Sequence, residues 1–293
     1  MAMFSVQQKA NLKATKHWQR KVAEARGTAA ATAATYTIDL PRDHFIHQII
    51  IACYESATIP TVDPSKLADK IDSIQLVANG NKVIKDMTGA MCKQIMKINK
   101  YRPSTGIYTL FFTDPKIDDA QPLPSWVFTS LQLKITDQAP ATGTYRYMEI
   151  ITVESAYEGQ DLSNWKVLVE KYLKWAKYGT NTGWQLYEHE RAYKVYGYLY
   201  CMDDNGTLGN TVYDYIQLLG RKPEGEITIA DVSVTALRGE NNAEINSDLD
   251  TGFAFLEWKD GFPSHEFASL YSKVYISTAG TNKGLRVLER YVL

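Results

Sequence analysis

The amino-acid sequence predicts an all-β protein built from two consecutive β-barrel or sandwich domains. Three observations carry this prediction. Aromatic residues reach 12%, with 19 Tyr, 9 Phe and 6 Trp, and such rings suit a half-buried pleated surface. Short β-rich runs alternate with turn residues along most of the chain. Two such series lie on either side of a stretch with helical spacing, which marks the boundary between them.

The 293 residues leave room for one large or two ordinary domains. At 45% hydrophobic and 22% charged residues, the composition is that of a folded globular protein. Formal net charge is −1, unevenly placed. Residues 1–26 hold Lys9, Lys13, Lys16, Arg20, Lys21 and Arg26 against Glu24 alone, so a basic N-terminus precedes an acidic body. That polarity points to an arm that meets something anionic.

Residues 3–26 read as an amphipathic helix. At about 100° per residue, Lys9, Lys13, Lys16 and Arg20 share one stripe, while Phe4, Ala14, Trp18, Val22 and Ala25 gather opposite. Gly27 ends the pattern, and the Ala/Thr run 28–35 reads as a tether.

The first β series runs through 35–40, 45–54 and 71–78, turns at Asn79-Gly80-Asn81, and returns at 82–85. A short helix is predicted over 88–100, with Met91, Ile95, Met96 and Ile98 alternating with Lys93, Lys97 and Lys100. Strands resume at 107–113, 127–135 and 145–153. Residues 161–178 then read as a helix, because Trp165, Leu168, Val169, Tyr172 and Ala176 recur at helical spacing before Gly179 and Asn181. The second series comprises 192–201, the turn Asp203-Asp204-Asn205-Gly206, and 212–219, 227–234, 252–258, 270–277 and 285–292. The order of events echoes the first half, although no exact sequence repeat stands out. The implied organisation is an arm and tether (1–34), a first barrel (35–160), a helical linker (161–183) and a second barrel (184–293).

Motifs for chemistry are sparse. Phosphate-loop, dinucleotide-binding, HExxH and GxSxG patterns are lacking, so no catalytic residue, metal or cofactor is expected. Cys53, Cys92 and Cys201 are odd in number and widely spaced, and read as buried free thiols. His44 and His47 fall on opposite faces of an extended strand. Asn246, Asp248, Asp250 and Glu257 match the ligand offsets of a calcium loop. Thr251 stands where that loop needs glycine, with Gly252 one residue late, so a solvated acidic loop is the better reading. The acids Glu188, Glu190, Asp203, Asp204 and Glu257 offer no spacing that selects a hydrolytic pair. Trp126, Trp165, Trp175 and Trp184 either stack on bases or sugars or pack between barrels and subunits. No apolar run approaches membrane-spanning length and the N-terminus lacks a secretory h-region, so a soluble protein made in a cytoplasm is expected.

Several stretches together resemble a known family. They are "IDSIQLVANGNKVI" (71–84), "GIYTLFF" (106–112), "SLQLKITDQAPATGTYRYMEIITV" (130–153), "SNWKVLVEKYLKWAKYGTNTG" (163–183), "AYKVYGYLY" (192–200) and "SLYSKVYIST" (269–278). Their order is similar to that of the major capsid proteins of tailless icosahedral bacteriophages with an internal membrane, of the corticovirus type. The segment "ITIADVSVTA" (227–236) departs from the family, which has a helix after the first hairpin of its second barrel. The resemblance implies two tandem eight-stranded jelly-roll barrels and a non-enzymatic coat subunit of the virion. It further implies a homotrimer forming a pseudo-hexagonal capsomer, beside neighbouring capsomers and vertex or minor capsid proteins. The arm residues Lys9, Lys13, Lys16, Trp18, Arg20 and Lys21 would then face internal membrane lipid or the genome. A carbohydrate-binding β-sandwich, lectin-like or adhesin-like, is the alternative.

Overall fold

The computed structural model describes residues 18–26, 32–58, 63–114, 117, 120–139, 143–159, 161–192, 194–245 and 248–292. The chain divides into two compact units. One runs to residue 168 apart from 97–101, and the other holds 97–101 and 169–293.

In the first unit the strands are β1 (Trp18–Arg26), β2 (Thr35–Asp39), β3 (Phe45–Ser56), β4 (Ile71–Ala78), β5 (Lys82–Thr88), β6 (Ile107–Phe111), β7 (Leu123–Pro124), β8 (Leu131–Asp137) and β9 (Tyr145–Ser155). They form two antiparallel sheets, ordered β1-β9-β3-β6 and β5-β4-β8-β2, with β7 short and paired to β3. The period-two pattern is plainest in β8. β8 alternates Leu131, Leu133 and Ile135 inward with Gln132, Lys134 and Thr136 outward. Ile49, Ile51, Ile74, Leu76 and Ile150 complete the interior, each contributing about 1.5–3 kcal/mol by leaving water. Asn79 and Gly80 take the left-handed backbone that the β4–β5 hairpin needs.

The second unit contains β10 (Leu168–Gly179), β11 (Gly183–Glu188), β12 (Lys194–Asp204), β13 (Thr207–Leu208), β14 (Tyr215–Lys222), β15 (Gly225–Ser233), β16 (Phe253–Phe262), β17 (Ser269–Ile276) and β18 (Lys283–Val292). Here β10, β18 and β12 adjoin in that order, with β16 and the short β13 on β12, while the second sheet runs β11-β17-β14-β15. One cluster, including Tyr198, Tyr200, Met202, Ile216, Leu218, Val274 and Val287, fills its interior.

The two units share one plan. Replacing β1, β9, β3 and β6 by β10, β18, β12 and β16 reproduces the first sheet, and β2, β8, β4, β5 map onto β11, β17, β14, β15. Irregularities coincide as well. A bulge interrupts β3–β9 at Ile46/Gln48 and β12–β18 at Val195/Gly197. Another interrupts β4–β5 at Leu76/Val77 and β14–β15 at Leu218/Leu219. A helix follows each hairpin, Gly89–Ile98 in one unit and Val234–Ile245 in the other. Thr88 Oγ1 accepts from Met91 N at 3.2 Å, and Ser233 Oγ accepts from Ala236 N at 3.1 Å, so both helices start from a hydroxyl cap.

This register brings out a repeat. Pro, Ser, Phe, Ser, Leu and Lys occur at 124, 125, 128, 130, 131 and 134, and again at 263, 264, 267, 269, 270 and 273, a constant offset of 139. The triplet Ile-Gln-Leu stands at 74–76 and 216–218. The buried serine of the first motif bridges backbone in both units. Ser125 Oγ donates to His44 O and accepts from His44 N, and Ser264 Oγ does the same with Ala192.

Three expectations are corrected. Residues 18–26, expected as the end of an amphipathic helix, form β1, paired with β9 from Trp18↔Glu154 to Arg26↔Tyr147. The open edge of β9 and the ion pairs described below outweigh a helical stripe, since propensity is weak against tertiary partners. The remainder of the expected helix, residues 3–17, lies outside the described residues. The expected linker helix 161–178 is instead β10 over Leu168–Gly179. Its Glu170 is fully buried against Arg290 of the neighbouring strand, with Nε to Oε1 at 2.8 Å. A surface helix would leave that carboxylate in water. The third correction adds a helix at Val234–Ile245, where β-branched residues suggested strand through 234.

Candidate functional site

Two of the described arm residues, Trp18 and Arg20, converge where β1 meets the loop before β3. Arg20 Nη2 lies 2.7 Å from Asp43 Oδ1 and 3.1 Å from Glu154 Oε2. Its Nε donates to Glu154 Oε1 at 3.3 Å. Glu154 is fully buried and also accepts from Thr152 Oγ1. His44 Nδ1 stands 3.0 Å from Asp43 Oδ1 and 3.4 Å from Glu154 Oε2, and the Trp18 ring meets the His44 imidazole edge-on at 4.9 Å. The Arg20 guanidinium holds the Asp43 carboxyl down at about 2. Lys21 pairs with Glu24 and with Glu149, the latter at 3.1 Å, and these bonds raise its ammonium above the ordinary lysine range.

Asp43, His44 and Glu154 are the group among the described residues whose ligand atoms fall within 4.8 Å of one another. The cation among them is the chain's own guanidinium, which touches both carboxylates. The arrangement therefore works as a clamp that fixes β1 to the barrel. Of the other expected arm residues, Lys9, Lys13 and Lys16 lie outside the described residues.

The remaining candidates resolve into structure. His47 Nε2 bonds Ser155 Oγ at 2.8 Å, on the buried face of β3. Burial pushes the Cys53 thiol up to about 11 and Cys201 to about 12, which suppresses thiolate chemistry. Asp250 Oδ1 takes Lys97 Nζ at 2.6 Å and Glu257 sits within β16, while Asn246 lies outside the described residues. Gly252 has φ +81°, and a Cβ there would meet Met202 O at 2.8 Å, so it serves the approach of its loop to β12. Trp126 and Trp165 both pack on Phe45, at 4.6 and 4.8 Å, and Trp165 Nε1 donates to Pro122 O. Of Trp175 only the backbone is described, whereas Trp184 is exposed on β11.

One arrangement escaped the sequence. His189 Nδ1 meets Glu289 Oε1 at 2.9 Å, its Nε2 meets Ser272 Oγ at 2.6 Å, and Tyr200 OH bonds the same serine at 2.8 Å. The connectivity is that of a hydrolytic triad. However, Ser272 and Tyr200 are fully enclosed beneath β17 and β12, so the set acts as a buried polar network. Burial raises the Glu289 carboxyl, and the histidine contact opposes that rise. No local spacing joins residues 83 and 100 positions apart, so this network has no sequence signal.

Comparison with known proteins places the fold. Residues 20–137 match the family model described as viral coat protein P2 N-terminal domain. No curated protein sequence matches the chain. Among solved structures, the major capsid protein of Sulfolobus turreted icosahedral virus is similar over 94% of this chain and 97% of its own, at TM-score 0.68 and 14% identity. The major capsid protein P2 of bacteriophage PM2 is similar over 92% of this chain and 98% of its own, at TM-score 0.63 and 10% identity. PBCV-1 VP54 follows at TM-score 0.59 and 10% identity, over 95% and 94%.

The fold is thus the double jelly roll that these viral major capsid proteins share. The match to the viral coat protein P2 N-terminal domain spans residues 20–137, less than half of the chain.

Proposed function

We propose that the chain is the major shell subunit of an icosahedral virion and works as a homotrimer. The supporting observation is the internal duplication. A chain carrying two copies of one barrel, repeated around a three-fold axis, supplies six similar barrels to one ring. Heterologous contacts close such a ring, and its pseudo-hexagonal outline suits tiling through separate contacts between rings. In this reading the neighbours are other capsomers and vertex or minor capsid proteins, the location is the virion, and assembly takes place in the host cytoplasm.

The segment before β1 acts as the arm in this reading. Because Arg20 and Lys21 are engaged by carboxylates of their own barrel, Lys9, Lys13 and Lys16 are left to meet internal membrane lipid or the genome. Trp18 and Arg20 anchor its root. Near an anionic surface each such lysine contributes about 1 kcal/mol.

Native mass spectrometry tests the oligomer, with a mass of three 33.1-kDa chains expected. Deleting residues 1–17 keeps β1 and should leave that trimer intact while impairing particle formation. Normal particles from the deletion would refute the role given to the arm, and a strictly monomeric chain would refute the shell reading itself.

A further inference from the structure

The duplication provides an internal control for surface chemistry. On the outer face of the first unit, Thr35, Thr136 and Ser73 form one row across β2, β8 and β4, and Thr37, Lys134 and Gln75 form the next. The equivalent rows of the second unit are Trp184, Tyr275 and Tyr215, then Leu186, Lys273 and Gln217, across β11, β17 and β14. The lysine and glutamine are retained, and each glutamine donates to an aspartate of the following strand, Asp86 or Asp231. Hence the frame is the same, and three hydroxyl side chains of one face stand where the other has three aromatic rings.

Those rings are not core. Trp184 is 46% exposed, Leu186 59% and Tyr215 47%, and Trp184 packs on Tyr275 at 5.1 Å. A contiguous apolar row on an otherwise soluble sheet marks an interaction surface. We infer that this outer face of β11, β17 and β14 is a contact surface between copies of the chain. The inference rests on the coat-protein reading above and adds the face on which the copies meet.

Three points favour a second copy as the occupant. The patch has an aromatic centre and a rim carrying both signs, with Lys273 near Glu226 at 3.7 Å and Gln217 on Asp231. That is the anatomy of a protein–protein interface. It lacks the one-signed basic field that a phosphate backbone or lipid headgroups require. A ring of three also needs heterologous contacts, in which a patch on one subunit meets a different surface of the next. Two barrels of one plan with opposite face chemistry supply that inequality.

The test compares the full chain with Trp184→Thr/Tyr215→Thr, keeping β-compatible side chains at both sites, and with Thr35→Ala as the control at the equivalent first-unit position. Mass by light scattering over a dilution series gives the self-association constant, and thermal unfolding reports the fold. Truncating central aromatic residues should weaken self-association roughly tenfold or more, with the control assembling like the parent. Should the double variant fail to fold, Leu186→Lys, at the most exposed of these side chains, carries the same test. Self-association unchanged in the folded variants overturns the inference, as does glycan-array binding that these variants lose while still assembling. A parent chain that never self-associates sinks the coat-protein reading together with this inference, whereas assembly that survives the substitutions sinks the inference alone.

Discussion

Gln75 and Gln217 hold one position in two barrels: each sits beside a lysine of the next strand and donates its amide to an aspartate on the other side. The Gln75–Asp86 bond is 3.4 Å and the Gln217–Asp231 bond 3.0 Å. Their partner lysines, Lys134 and Lys273, fall at matching register. With the shared bulges, capped helices and serine bridges, this pair makes duplication of one barrel the organising fact of the chain.

The serine bridges should therefore behave alike. Ser125→Ala and Ser264→Ala each remove the side-chain acceptor of a backbone N–H, that of His44 or Ala192, at a cost of about 1–3 kcal/mol. Because the two serines share no partner, the double variant should lose close to the sum. Urea midpoints check this, and a large cost at one site with none at the other would contradict the equivalence.

Glu170 and Arg290 form an ion pair with both side chains buried, and Arg290 Nη2 also donates to Asn99 Oδ1 at 3.0 Å. Glu170→Ala removes the carboxylate 2.8 Å from a buried guanidinium, and should cost about 3–5 kcal/mol. A loss below about 1 kcal/mol by thermal unfolding would show that Glu170 does not sit at this interior position.

The clamp on β1 has a pH signature. Asp43 is held at about 2 in the folded chain, below its ordinary 3.8, by the Arg20 guanidinium. A depressed carboxyl stabilises the fold above its unfolded pKa, and that contribution is lost as pH falls through the folded value. The stability difference between the parent and Asp43→Asn should shrink as pH falls between about pH 4 and pH 2. A difference that persists undiminished at pH 2 would break the assignment.

Buried thiols should be inert. With Cys53 at about 11, Cys201 at about 12 and Cys92 also buried, a thiol reagent at pH 8 should label none of the three rapidly in the native chain. All three should react after denaturation, and a fast native thiol would contradict the burial.

Much of the fold was legible because it is local. The Asn79-Gly80 turn between alternating runs defined β4 and β5, and the Met91/Ile95/Ile98 spacing defined the first helix. The failures have one cause. In β1 and β10, Trp18 and Val22, or Leu168 and Tyr172, recur at intervals compatible with a helical face. Their strand character comes from partners more than a hundred residues away, Glu154 for Arg20 and Arg290 for Glu170. The second helix did carry a sign in Ser233 ahead of Leu237, Asn241 and Ile245, which line its buried side. The β-branched run before it masked that sign. Within the site, the basic residues were visible, but Asp43 and Glu154 were not, because the register of β9 against β1 brings Glu154 to Arg20 and the pairing of β3 with β9 sets Asp43 beside it.

The central claim is that two barrels of one plan make this chain a tile of a viral shell. Negative-stain class averages of the purified assembly test it most directly. The account predicts rings of six lobes with three-fold symmetry, two lobes per chain. Averages showing isolated two-lobed particles at every concentration would contradict it.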